Sequence, residues 1–456
     1  MPSAINLQGN FLNKFLFITY YYPPAGGPSV QRIIRIIQHM AQSGWQGVVL
    51  TVREGDYTTE DPGLAERIPA GTDVLRTDFF EPYKLYRRFT GKKAADKIPL
   101  AVLSAHSKAS YRERIANLFR ANLLVPDGRI GWYRCGVRTG IEAVQRDPAI
   151  KLVLSSGPPH TVHLIARKIA QKTGLPFIAD FRDPWVNIDY YTGVKRNRLI
   201  TALDRRLEAK VLRSADAITV VGPGCRDQLL QNHNDISLSK THIIYNGFDP
   251  SIYPADKPNP PQERFVITYI GNLPFNRFTP SLYRAISQLN QEGKIAPDVF
   301  QLHFYGGIDE AVRRELAGFK IEPYLHFHGF VPHNQAIRAT MESYLLLLII
   351  NDAPTQKGIV PGKMFEYMAS ERPVLAIGPL DGDAARIYHR TGSGVFFDYL
   401  DELGIKTFIM EQFDNWKQGK WRAVRSPGIH DFNGAVQMKK MSQLFDKLIE
   451  KSVASS

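Results

Sequence analysis

Short apolar stretches that end in glycine, serine or asparagine alternate along this chain with segments of helical periodicity, and no other feature restricts the fold as much. Phe15 to Tyr20 reads as a strand and a Pro/Gly turn follows. Val30, Ile33, Ile34, Ile37 and Met40 then recur at helical spacing up to Gly44, and Gly47 to Val52 is the next strand. Strand, glycine turn, helix and strand make a βαβ unit, which implies a parallel sheet with right-handed crossovers. The unit recurs at Leu152–Leu154 ahead of Ser155-Ser156-Gly157, through a helix to Ala170, to Pro176–Ala179. Ala217 to Val221 ends in Gly222-Pro223-Gly224, and His242 to Tyr245 is a further short strand.

Residues 250–261 hold Pro250, Pro254, Pro258, Pro260 and Pro261 without periodicity, the most linker-like stretch of the chain. The alternation then restarts with Phe265–Ile270, Leu302–Tyr305, Leu345–Ile350 and Val374–Ile377, most of them followed by glycine. Val436, Met441, Leu444, Phe445, Leu448 and Ile449 share one face of a helix over about 433–450. The expected fold class is α/β: two Rossmann-like parallel-sheet domains facing each other across a cleft. They cover 1–248 and 262–428, with 429–456 a C-terminal helix able to cross back to the first domain. In such sheets ligands bind at the carboxyl ends of the strands, beside the switch in strand order.

Composition narrows the class. With 456 residues the chain exceeds a single ordinary core, and 44% apolar against 22% charged residues argues against disorder. Two cysteines, Cys135 and Cys225, cannot build a disulfide framework, so a reducing, cytoplasmic setting is expected. The longest uninterrupted apolar stretch, Tyr344–Ile350, is far short of the ~20 residues that span a bilayer. Phe15–Tyr22, followed at once by Pro23-Pro24, reads as a strand and turn rather than a signal peptide.

The net charge of +13 lies entirely in residues 1–230, which hold 33 basic and 20 acidic side chains, while the remainder is neutral. Residues 84–120 alone carry ten basic side chains against Asp96 and Glu113. Such concentration implies an anionic partner: nucleic acid, an acidic lipid leaflet or a phosphorylated substrate.

Several strand-end segments carry groups capable of chemistry. Tyr22-Pro23-Pro24-Ala25-Gly26-Gly27-Pro28 enters a helix whose free N–H groups suit a phosphate or an acceptor hydroxyl, or it is only a tight connection. It is not a dinucleotide fingerprint. His160, after Ser155-Ser156-Gly157-Pro158-Pro159, falls in the first turn of a helix and can hydrogen-bond a sugar hydroxyl, although a lone histidine is commonly a surface or capping residue. In Asp180-Phe181-Arg182-Asp183 the carboxylates are either a base with its partner or a structural ion pair, the second being favoured. Gly271-Asn272-Leu273 followed by Arg277 puts a guanidinium beyond a strand end, suited to diphosphate. Gly358 to Tyr367 places Lys363 and Glu366 one helical turn apart, a cation for phosphate and a carboxylate for ribose hydroxyls, or an ordinary surface ion pair.

Taken together these segments resemble the glycosyltransferase family 4-like group of the GT-B fold, from Phe15 to about residue 400. The pieces are Tyr22–Gly27, Ser155–His160, Ala179–Trp185, Tyr245-Asn246-Gly247-Phe248-Asp249, Gly271–Arg277, Gly329-Phe330-Val331 and Gly362–Ala369. Pro126-Asp127 and Trp132 resemble a subgroup found in bacterial surface-polysaccharide clusters. The resemblance implies an acceptor-binding first domain and a donor-binding second domain. Catalysis would fall to His160, Arg277 and Lys363. Donor binding would use Gly271, Asn272, Arg277, Gly306, Phe330, Val331, Gly362, Lys363 and Glu366. Gly26, Gly27, Asp180 and Asp183 would form an acceptor and phosphate loop. Gly358 and Asn272 depart from the family pattern, standing where many members carry a glutamate and an arginine.

The reaction so implied moves a sugar from a nucleotide-diphosphate sugar to a lipid-linked or polysaccharide acceptor in bacterial surface polysaccharide (lipopolysaccharide) biosynthesis, with retention. No metal and no cofactor are expected, fixed cations and a helix N-terminus being the groups that would stabilise the departing diphosphate. Tyr111, Ile115, Leu118, Phe119 and Leu123 fall on one face of a basic helix over 108–124, which suits an anionic membrane surface and a peripheral place on the inner face of the cytoplasmic membrane. The rival expectations are a nucleotide-sugar epimerase of the same fold and a basic nucleic-acid-binding protein, the latter lacking any recognised motif.

Overall fold

The computed structural model describes residues 13–57, 59–79, 124–186, 196–231, 233–254, 257–425 and 427–454. The chain divides into two units: residues 1–245 with 435–456, and residues 246–434.

Unit 1 runs β1 (Asn13–Ile18), α1 (Pro28–Gln42), β2 (Trp45–Val52), β3 (Asp73–Thr77), α2 (Tyr133–Arg146), β4 (Ile150–Gly157) and α3 (Thr161–Thr173). It continues through β5 (Phe177–Phe181), α4 (Arg198–Ser214), β6 (Ala217–Val220), α5 (Pro223–Leu230) and β7 (Thr241–Ile243). The strands form one sheet in the order β3-β2-β1-β4-β5-β6-β7, and every pair is parallel. Because successive side chains point to opposite faces, Leu16, Ile18 and Val153 join one apolar cluster, while Phe15, Phe17, Leu152 and Leu154 join another. Both faces are therefore buried, as the unbroken apolar runs of a parallel sheet require.

Unit 2 runs β8 (Phe265–Ile270), α6 (Pro280–Gln291), β9 (Phe300–Tyr305), α7 (Glu310–Ala317), β10 (Leu325–Gly329), α8 (His333–Met341) and β11 (Leu345–Ile349). Then come α9 (Gly362–Ser370), β12 (Val374–Ile377), α10 (Asp383–Thr391), β13 (Val395–Phe397) and α11 (Glu402–Lys417). Its sheet order, β10-β9-β8-β11-β12-β13, repeats the pattern of unit 1 with one strand fewer. In each unit the order reverses beside the first strand, between β1 and β4 and between β8 and β11. The loops after those four strands are where a ligand site is expected on topology alone.

The final helix, α12 (Gly434–Ala454), packs on unit 1. Met438, Met441, Leu444 and Phe445 enter the cluster around Phe15 and Trp45, and the Phe445 ring meets theirs edge-on at 5.2 and 5.3 Å. Trp45 donates its indole N–H to Asp446 at 3.1 Å. The proline-rich stretch is a strap on unit 2 over its described residues. Tyr253 donates to the Glu366 carbonyl at 2.9 Å, Lys257 pairs with Glu371, and Arg372 donates to the Pro258 carbonyl.

Three strands have no counterpart in the sequence reading: β3, β10 and β13. All three are short edge strands with exposed or half-buried side chains, and none carries the apolar run that marks a central strand.

Candidate functional site

At the switch point of unit 2, the loops after β8 and β9 are pressed backbone to backbone. Gly271 donates to the Tyr305 carbonyl at 2.7 Å, Leu273 to Gly307 at 2.8 Å, and Gly306 to Gly329 at 2.6 Å. A Cβ on Gly306, whose φ is +136°, would stand 2.5 Å from the Gly271 carbonyl, so no other residue fits. Asn272, expected to face the donor, instead turns its carboxamide oxygen to the Gly307 N–H at 2.9 Å and latches the two loops.

Arg277 and Lys363, from different elements, meet around one tyrosine. Arg277 Nη1 donates to Tyr269 Oη at 3.3 Å and to the Asn272 carbonyl at 3.1 Å, and its Nε donates to Asn351 Oδ1. Its Nη2 has no partner among the described residues. Lys363 Nζ lies 3.7 Å above the Tyr269 ring and donates to the Ile270 carbonyl at 2.9 Å. Burial is the main reason that the Lys363 ammonium is pulled down to about 8. Burial would raise the Tyr269 phenol, but the two cations outweigh it and hold its pKa below the ordinary value. Tyr367, one helical turn after Lys363, accepts the Ile270 N–H at 2.9 Å and fixes α9 to the end of β8.

α9 starts beside these cations. Pro361 is its N-cap, with no side-chain hydrogen bond over the first turn, so the positive end of the helix is open at Gly362 and Lys363. Glu366 projects from the next turn, and its Oε1 lies 3.1 Å from His333 Nε2 at the start of α8. The loop into α8 contains Phe330, 60% exposed, and the half-buried Val331. Gly271, Asn272, Arg277, Gly306, Phe330, Val331, Gly362, Lys363 and Glu366 thus all come from the carboxyl edge of this sheet or the first turns of the helices that follow it. Tyr269, Tyr367, Asn351 and His333 were not singled out from sequence. Tyr367 sits within the Gly-Lys-Met-Phe-Glu-Tyr segment, which was the available signal, whereas His333 had none.

In unit 1, Gly27 caps α1 with φ +94°, a conformation that side chains disfavour, and again no side chain covers the helix start. Gly26 donates to the Thr59 carbonyl at 2.9 Å. Asp180 does not belong to a ligand-facing loop. It is fully buried, receives Arg32 through two bonds at 2.6 and 3.0 Å, and accepts Ser156 and Thr219 hydroxyls at 2.6 Å each. Burial would raise its pKa, yet the Arg32 charge and these bonds hold it at about 2. The ion pair foreseen in this segment is therefore structural, but its cation is Arg32 on α1 rather than the adjacent arginine. Arg182 fastens the neighbouring turn, donating to Ser156 Oγ at 2.9 Å and to the Pro158 carbonyl. Asp183 is half-buried.

His160 caps α3, and its ring is only 4% exposed, stacked 4.8 Å from Trp185 with planes 6° apart. Neither ring nitrogen has a hydrogen-bond partner among the described residues. Burial first, then the adjacent His163 and Arg182, keep its pKa well below the ordinary value, so it is a neutral imidazole. Asp127 takes the Thr161 N–H at 2.9 Å and its hydroxyl at 2.8 Å, and Trp132 donates to Thr77 at 2.7 Å. Both therefore hold this strand-to-helix turn and its surroundings in place. The basic residues between 84 and 123, with the helix expected to meet a membrane, lie outside the described residues. Among the described residues no helix is long and apolar enough to cross a membrane, and no group of three or more His, Cys, Asp or Glu side chains could hold a metal ion.

Comparison with known proteins gives the family and the fold. A family model described as a glycosyl transferase 4-like domain matches residues 27–247, and one for glycosyl transferases group 1 matches residues 264–401. Among solved structures, a sucrose-phosphate synthase from Thermosynechococcus elongatus superposes with a TM-score of 0.60 at 15% identity, covering 97% of this chain and 100% of that one. Anabaena HepE in complex with UDP-glucose gives 0.58 at 13% identity, over 95% and 99%. The lipopolysaccharide outer core galactosyltransferase WaaB gives 0.54 at 14%, over 95% and 99%. A search of curated protein sequences returned no match.

Proposed function

The chain belongs to the glycosyltransferases of the GT-B fold, with a 4-like domain followed by a group 1 domain, and on that premise we propose that its second unit binds a nucleotide-diphosphate sugar. The observation that carries this reading is the pair of cations, Arg277 and Lys363, gathered on Tyr269 beside the open start of α9. Glu366 is the acceptor for the two ribose hydroxyls.

When the sugar leaves, the anomeric C–O bond breaks and its electron pair stays on the diphosphate oxygen. The acceptor hydroxyl oxygen bonds the anomeric carbon, and its proton passes to the departing diphosphate. Attack from the leaving-group face retains configuration. Charge grows on the diphosphate throughout, and fixed donors already aimed there stabilise it without reorganising. Arg277 Nη2, the Lys363 ammonium and the α9 amides fill that role, without a metal ion. In the first unit, the neutral His160 ring and the Gly26–Gly27 turn are the groups offered to the sugar and its acceptor. We take that acceptor to be lipid-linked or polysaccharide, in bacterial surface polysaccharide synthesis, with the enzyme peripheral on the inner face of the cytoplasmic membrane. HepE binds UDP-glucose and WaaB acts in the lipopolysaccharide outer core, which support a nucleotide-sugar donor and a surface-glycan role.

A thermal-shift panel of uridine, guanosine and adenosine diphosphate sugars tests the donor reading, because a ligand that binds the folded state raises its melting temperature. One base is expected to stabilise the wild type, with the shift lost in Arg277→Ala and Glu366→Ala. Unchanged shifts in both variants would refute the site. An epimerised nucleotide sugar formed without acceptor would mark the epimerase reading instead.

A further inference from the structure

Unit 2 has a recess at the edge of its sheet opposite Gly271 and Gly306. A cavity of about 660 Å³ opens where β11, β12 and β13 begin, lined there by Tyr344, Val374 and Val395. At ~3.3 Å per residue, four to five residues of strand put it roughly 15 Å from the carboxyl edge. It shares no lining residue with the donor site.

Its chemistry is one-sided. Phe408 and Trp421 supply aromatic wall. Gln412 and Asn415, one turn apart on α11, are half-buried, and their carboxamides have no partner among the described residues. His389, Lys420 and Arg422 are exposed on the lining, and among the described residues none of the three is paired with an acid. No carboxylate lines the cavity at all.

A buried charge adds to the imbalance. The Arg372 guanidinium is 1% exposed and lies 4.8 Å from the Trp421 ring. Its Nη2 donates to two backbone carbonyls, whereas Nε and Nη1 have no acceptor among the described residues. The Trp421 indole N–H is likewise buried without one among the described residues. Glu371, the nearest acid in sequence, attracts Arg372 but makes its ion pairs with Lys257 and Arg425. Unsatisfied donors around a recess lined by no carboxylate attract anions, and a buried guanidinium with two nitrogens unsatisfied makes that attraction stronger than at an open surface.

We propose that this cavity is a second ligand site, for an acidic saccharide: a sugar ring bearing a carboxylate or a phosphate. The aromatic wall takes the apolar face of the ring, the two carboxamides take its hydroxyls, and Lys420, Arg422 and His389 take the acid group. A recess of this size accommodates one or two sugar rings, within the usual range of ligand pockets.

The test titrates the full chain with glucuronic acid, glucose 6-phosphate, neutral glucose and inorganic phosphate, reading tryptophan fluorescence and melting temperature. Glucuronic acid, glucose 6-phosphate or both should quench the fluorescence and raise the melting temperature, and which one responds assigns carboxylate or phosphate. Glucose and inorganic phosphate at equal concentration should do neither. The exposed double variant K420E/R422E should bind at least tenfold more weakly, and Q412A should lose affinity while folding normally. Its response to the nucleotide diphosphate that stabilises the wild type should stay unchanged in both variants, which separates this site from the donor site. No response to either acidic sugar, an equal response to glucose or to inorganic phosphate alone, or undiminished binding by K420E/R422E would overturn the proposal.

Discussion

His333 Nε2 lies 3.1 Å from Glu366 Oε1, joining the first residue of α8 to the carboxylate we assign to the ribose. The imidazole holds one carboxylate oxygen and leaves the other to a ligand. Removing it frees Glu366 to rotate and costs the bond, about 1.5–3 kcal/mol for a charged acceptor. His333→Ala should therefore raise the donor KM by roughly ten- to hundredfold with little change in kcat, and His333→Gln should recover part of the loss. Equal donor KM values for wild type and His333→Ala, measured by steady-state kinetics, would remove His333 from the site.

Lys363 makes donor affinity depend on pH. Burial pulls its pKa down to about 8, and only the protonated amine attracts diphosphate. Affinity should hold steady below about pH 7 and decline as pH rises through 8, with proton uptake on binding near pH 8.5. Lys363→Arg, which stays charged, should flatten the profile, and Lys363→Met should weaken binding at every pH. Calorimetry in buffers of different ionisation enthalpy measures both effects.

Breaking the Arg32–Asp180 pair should destabilise unit 1 by about 3–5 kcal/mol, because a buried charge is left uncompensated. Asp180→Asn is read by chemical denaturation, while nucleotide binding to unit 2 should survive. The pair also predicts acid sensitivity. The folded pKa is about 2 against an ordinary 3.8, so the stabilisation is complete above 3.8 and is lost as pH falls toward 2, roughly 2 kcal/mol in all.

Phe445→Ala should detach α12 from the cluster around Phe15 and Trp45. Truncating a fully buried phenylalanine costs about 3–5 kcal/mol. Hydrogen exchange should accelerate in α12 and β1, and unaltered protection there would contradict the packing described.

Much of the architecture was legible locally. The central strands β1, β2, β4, β8, β9, β11 and β12 hold mainly apolar runs, because a strand buried on both faces must be largely apolar. Their glycine-bearing ends located the switch-point loops of both sheets. The edge strands β3, β10 and β13 carried no such signal, since their exposed faces set no pattern. Gly26, Gly27, His160, Gly271, Arg277, Lys363 and Glu366 were legible as types suited to phosphate and hydroxyl recognition, and the structure places all but Glu366, which lies one turn into α9, in the loops after strands or at helix starts.

What the amino-acid order determined by itself was the alternation of strand and helix, and with it two parallel sheets with glycine-bearing loops at their carboxyl edges. Partners far apart in sequence were decided only by the tertiary structure. Asp180 finds Arg32 across 148 positions, Lys363 and Arg277 converge on Tyr269, and His333 meets Glu366. Periodicity records which face of an element is buried, whereas the identity of the neighbour across that face depends on strand order and packing, and no local pattern encodes either.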